Sequence, residues 1–119
     1  MEVTQLIPEL VTRDFEKVKA KISGLGFEIK HFQDFKKFKE AIIEDPNGNR
    51  FVIVETQFED VPTGLRGMRL NVRDFEEGIK TLKAFGFGEF RPVIETETAK
   101  YQIMSTVEGF KINVCYHKR

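Results

Sequence analysis

The residue types that could do chemistry are few in this chain, and their spacing is informative chiefly for what it excludes. There are two histidines, His31 and His117, and one cysteine, Cys115. Neither histidine has a His, Cys or carboxylate partner at helix or strand spacing, so neither reads as a metal ligand. Cys115 sits in an apolar run with Ile112, Val114 and Tyr116, where a cysteine acts as a small hydrophobic residue. No Ser-His-Asp, Cys-His or His-Glu-x-x-His arrangement is present to supply a nucleophile or a bound metal.

A second group is polar and lies on strand-like segments. Side chains alternate between the two faces of a strand, so Arg69 and Asn71 on one strand and Lys111 and Asn113 on another turn toward one shared face. Glu9 takes the matching position on an earlier strand. An arginine with two amides presents donors in fixed directions, which suits a small polar or anionic ligand. The plainer account is that these residues pair with one another in a solvated groove, since an antiparallel sheet tolerates one wet face.

The elements that would position them come from an internal repeat. Arg13-Asp14-Phe15-Glu16 recurs as Arg73-Asp74-Phe75-Glu76, and the same offset superposes Gly26-Phe27 on Gly86-Phe87. After one inserted residue, Gly48, Phe51 and Ile53 fall on Gly109, Ile112 and Val114. Each copy reads as strand, helix and three strands. Phe15, Val18, Ile22 and Leu25 form one helical stripe, and Phe75, Ile79, Leu82 and Phe85 the other. Asp14 and Asp74 are placed to cap these helices, and Gly24, Gly26 and Gly86 to end them. Later strands are expected near 27–34, 38–44 and 50–56 in one copy, and near 87–96, 100–105 and 110–117 in the other. Asp45-Pro46-Asn47-Gly48-Asn49 is a strong hairpin turn.

This order of elements resembles the vicinal oxygen chelate (glyoxalase/bleomycin-resistance/dioxygenase) superfamily. The local motifs that carry the resemblance are Asn71-Val72-Arg73-Asp74 ahead of a helix, Leu25-Gly26-Phe27 after one, and the Asp45–Asn49 turn. The resemblance implies an α+β fold: two tandem βαβββ modules forming a curved, mostly antiparallel sheet, with helices on the outer face. The chain is then a single domain over 1–119, with module 1 at about 1–58, a linker at about 59–64 and module 2 at about 65–119. A ferredoxin-like domain is the rival, and would have two strands after the first helix instead of three.

Superfamily enzymes hold a divalent metal through the first and fourth strand of each module. The matching positions here are Ile7, Val52, Gly67 and Asn113. Three of them lack any donor atom in the side chain, so no metal and no other cofactor is expected. The reading that follows is a metal-independent small-molecule-binding protein, with Glu9, Arg69, Asn71, Lys111 and Asn113 as ligand-binding residues and no catalytic residues. A metal-dependent lyase or dioxygenase of the glyoxalase type is the first alternative, and an interaction module without a small ligand the second.

Composition narrows the partners. A chain of 119 residues with 12 Phe can build its own core. Its 19 basic and 19 acidic residues balance, so it lacks the positive field that nucleic acid binding exploits. No signal-like or membrane-spanning stretch is evident, and one cysteine fits a reducing, cytoplasmic setting. A homodimer is expected, because a curved sheet has open edges and drug-sequestering relatives hold their ligand between subunits.

Overall fold

The computed structural model describes residues 1–118. Nine strands and two helices follow in the order β1 (Val3–Thr12), α1 (Phe15–Ser23), β2 (Glu28–Asp34), β3 (Phe38–Glu44), β4 (Arg50–Thr56), β5 (Gly64–Val72), α2 (Phe75–Ala84), β6 (Gly88–Glu89), β7 (Ile94–Glu95), β8 (Ala99–Ser105) and β9 (Lys111–His117). Three strands follow the first helix, as the tandem βαβββ reading requires and the ferredoxin-like one does not. Among the described residues, no helix is long and apolar enough to cross a membrane.

The chain divides into two compact units, one holding residues 7–66 and the other residues 1–6 with those from 67 onward. In the 7–66 unit the strand order is β2-β3-β4-β1, antiparallel except for the parallel β1–β4 pair, where Glu9 lies beside Val52 and Val11 beside Val54. In the other unit β5 runs parallel to β9, with Arg69 beside Asn113, and β8 pairs antiparallel with β9. The amino-terminal residues join this second unit through Thr4, whose hydroxyl donates to the Asn71 carbonyl at 3.1 Å.

Each helix covers one face of its sheet. Phe15 and Ile22 pack on Ala41, Ile43 and Ile53 in the 7–66 unit. Phe75, Ile79 and Leu82 pack on Leu70, Val72, Met104 and Val114 in the other. The N-caps form as expected: the Asp14 carboxylate accepts from Lys17 N at 3.2 Å, and that of Asp74 from Glu77 N at 3.1 Å.

Helix ends differ from the sequence expectation. Leu25 and Phe85 were expected on the buried stripes but are 73% and 78% exposed. They lie just past the last helical turn, where Gly26 and Gly86 adopt φ of 89° and 92° and redirect the chain. Phe27 N and Phe87 N then donate back to the Ile22 and Leu82 carbonyls, and the two phenylalanines take the core positions instead. Gly24 remains in the right-handed region and only caps α1.

The segment expected as one strand over 87–96 is broken into β6 and β7, both paired with β8. Phe90 N and Arg91 N both donate to the Ile103 carbonyl, which bulges the chain, and Pro92 has no N–H with which to resume the ladder. The Gln102 side chain fixes the bulge by donating to the Arg91 carbonyl at 3.1 Å.

Candidate ligand site

The face of the second unit turned away from α2 is polar. Two registers define it: Arg69 beside Asn113 beside Ile103, and Asn71 beside Cys115 beside Tyr101. Phe90, whose N–H bonds the Ile103 carbonyl, extends the first row. Arg69 and Asn113 are each only 5% exposed, which is unusual for such polar residues. The Arg69 guanidinium stacks 5.1 Å from the centre of the Tyr101 ring, an arrangement that orients its donors. Asn71 donates from Nδ2 to the Gln5 side chain at 2.8 Å, while its Oδ1 is buried and accepts no hydrogen bond among the described residues. Lys111 lies at the rim, its ammonium 4.8 Å above the Phe90 ring.

Four of the five sequence-derived residues, Arg69, Asn71, Lys111 and Asn113, therefore share one sheet face. Glu9 lies in the 7–66 unit, 1% exposed, where Arg66 clamps its carboxylate through Nε at 2.7 Å and through Nη2. Tyr101 and Phe90 were not anticipated. Alternation along β8 could have found Tyr101; the bulge that places Phe90 has no signal beyond Pro92. Contrary to the sequence expectation, His117 has a partner at strand spacing, since its Nε2 lies 3.7 Å from the sulfur of Cys115, two residues back on β9, whereas His31 is exposed on β2.

The corresponding face of the 7–66 unit has an apolar patch beside Glu9. Ile7, Val52 and Val54 form a cluster of their own, flanked by Phe38 and Ile42, with Glu40 and Thr56 as further buried polar residues.

The donor set does not fit a divalent metal. Ile7 and Val52, at two of the superfamily's ligand positions, belong to that apolar cluster. At the third, a Cβ on Gly67 would stand 2.1 Å from the Lys111 carbonyl oxygen, and the residue has φ of 146°. No side chain fits there without moving the backbone, which leaves Asn113 as a single weak donor. No cluster of His, Cys, Asp and Glu elsewhere among the described residues could hold a metal ion.

No protein-family model matches this sequence, and no curated protein matches it. Solved structures do. Methylmalonyl-CoA epimerase from Mycobacterium tuberculosis superposes with a TM-score of 0.73 at 13% identity, over 98% of this chain and 90% of that one. A glyoxalase/bleomycin resistance protein/dioxygenase superfamily member from Vibrio splendidus gives 0.61 at 18% identity, over 94% and 97%. The chain has the vicinal oxygen chelate fold. A hypothetical protein from Bacillus halodurans shares it with a TM-score of 0.72 at 16% identity, over 97% of this chain and 95% of that one.

Proposed function

We propose that this glyoxalase/bleomycin-resistance-like protein is a metal-independent binder of a small polar or anionic molecule, cytoplasmic and homodimeric. The observation that carries the reading is the Asn71 Oδ1 oxygen, buried without a donor among the described residues, on the face that also holds Arg69 and Asn113. Burying an acceptor without a donor is costly, and a ligand that donates to Asn71 offsets the cost, with Arg69 close by to favour an anion. Lys111 at the rim adds attraction for an anion, and Tyr101 and Phe90 supply flat apolar surface beside the polar row. Glu9 is engaged by Arg66 in the other unit, so the proposed contacts rest on the four residues that share a face. Metal-dependent lyase or dioxygenase chemistry is disfavoured because the residues present cannot assemble its Lewis acid.

The test is calorimetric titration with carboxylates, phosphate esters and acyl-CoA thioesters, the last because a solved neighbour of this fold is a complex with 2-nitronate-propionyl-CoA. At least one of these should bind, and Arg69→Gln should weaken it about tenfold or more, the usual worth of a charge-assisted hydrogen bond. Absence of saturable binding up to about 1 mM would remove the proposal.

A further inference from the structure

The two ends of the Asn71 amide are satisfied unequally. Its Nδ2 donates to Gln5 Oε1 at 2.8 Å, while the buried Oδ1 accepts no hydrogen bond among the described residues. The backbone that carries Gln5 is pinned on the near side of the chain. The Thr4 hydroxyl donates to the Asn71 carbonyl at 3.1 Å, and Arg73 binds Glu2 twice, through Nε to its carboxylate at 2.8 Å and through its N–H to the Glu2 carbonyl at 3.3 Å. With the backbone held, what remains able to turn is the pair of side-chain amides.

An amide offers an acceptor at one end and donors at the other, in nearly the same shape. The torsion that carries it is broad and roughly two-fold, so a half turn exchanges the ends at little steric cost. When Gln5 and Asn71 both make that half turn, Gln5 Nε2 donates to Asn71 Oδ1 and their mutual hydrogen bond survives. The atom that Asn71 leaves over has then changed from an acceptor to a donor. A carboxylate at position 5 could hold only the first arrangement, and an ammonium only the second.

We propose that Gln5 and Asn71 form a paired amide toggle, which makes Gln5 a specificity-determining residue of the ligand face. The inference rests on the reading of that face as a ligand site. It names the class of ligand: a small flat carboxylate whose second polar group is either a donor or an acceptor. The carboxylate answers to Arg69 and Lys111, and the flat framework to Tyr101 and Phe90. The repeat supports a role beyond packing. The counterparts of Gln5 and Asn71 in the other copy are Leu65 and Val11, and Val11 is buried. The scaffold therefore does not require two amides here, and an acceptor left over costs stability that the apolar pair does not lose.

Two variants lock the toggle in opposite senses. Gln5→Glu offers only acceptors, so Asn71 keeps Nδ2 on residue 5. Gln5→Lys offers only donors, so it draws Oδ1 and turns Nδ2 away. Nuclear Overhauser contacts of the Asn71 amide protons read this without any ligand. They should lie with residue 5 in Gln5→Glu and with Cys115, the neighbour of Asn71 on β9, in Gln5→Lys. The ligand readout uses meta-aminobenzoate, whose amine donates, and meta-acetylbenzoate, whose ketone only accepts. The unaltered protein should bind both. Gln5→Glu should favour the aminobenzoate, and Gln5→Lys the acetylbenzoate, by about tenfold each. Both probes carry the same carboxylate, so their ratio cancels the charge introduced at position 5. Adding Asn71→Ala to either variant should erase the preference. The same Asn71 contacts in both variants, or a preference that fails to invert between them, would overturn the toggle even though the probes bind. An amide that turns as expected while neither probe binds any variant would instead remove the ligand-site reading, and the role of Gln5 with it.

Discussion

The helix-covered faces of the two units are close copies, whereas their opposite faces have diverged. On the helix side Ile53 in one unit and Val114 in the other are both fully buried, each beneath a helix capped by an aspartate. On the opposite side, Ile7 and Val52 in one unit stand where Gly67 and Asn113 stand in the other. The contrast shows two kinds of constraint. Positions under a helix must fill a fixed volume, and any change leaves a void or a clash. Positions on the opposite face answer to whatever meets that face. One unit meets the requirement with branched apolar side chains around a buried Glu9, and the other with arginine, asparagine and tyrosine.

The largest expected effect attacks the first-strand pair. Gly67→Val should cost more than about 4 kcal/mol in urea unfolding, or prevent folding, because its Cβ has no room beside the Lys111 carbonyl. Ile7→Val, at the matching position, should cost only about 1 kcal/mol. Similar losses at the two positions would mean that the close backbone approach at Gly67 is not real.

Next comes the buried charge that the apolar face retains. Arg66→Ala removes one partner of the Glu9 carboxylate, 1% exposed, and should cost about 3 kcal/mol. Replacing both, Arg66→Met with Glu9→Leu, should recover most of that loss. If the double variant stays as unstable as the single one, Glu9 matters for more than its bond to Arg66.

The smallest effect separates two matching turns. Asp45 and Thr106 do the same work: each N–H bonds the carbonyl four residues on, and each side chain accepts the N–H of that residue, Asn49 or Phe110. The carboxylate of Asp45 is held below its ordinary value of 3.8, first by the Asn49 side-chain amide and further by the backbone N–H groups of Asn49 and Asn47, against the opposing pull of desolvation. A depressed carboxylate stabilises the fold above its ordinary pKa, and the contribution fades as pH falls through the depressed value. Asn49→Ala should therefore raise the Asp45 pKa toward 3.8 in an NMR titration, and Asp45→Thr should keep the turn while removing this acid-sensitive component. An unchanged Asp45 titration in Asn49→Ala would mean that the backbone donors alone set it.

Much of this was legible in the sequence because it is local. The caps at Asp14 and Asp74, the helix stripes, the Asp45 turn and the face alternation on β5 and β9 all depend on neighbours within a few residues. Local periodicity also grouped Arg69 with Asn71 and Lys111 with Asn113. The same periodicity misplaced Leu25 and Phe85, since a stripe does not reveal where a helix stops. It also missed the break at Arg91–Val93, because a bulge depends on which partner carbonyl the chain meets.

What the sequence by itself determined is the set of elements, their order and the lack of donor atoms at three of four metal-ligand positions. Periodicity, capping and turn chemistry are short-range, and an absent donor needs no structure to be absent. Only the tertiary structure decided that Gly67 has no space for a side chain, that Glu9 is clamped by Arg66, and that Arg69 lies on Tyr101. Those facts depend on how closely strands far apart in sequence approach one another, a distance that no local pattern encodes.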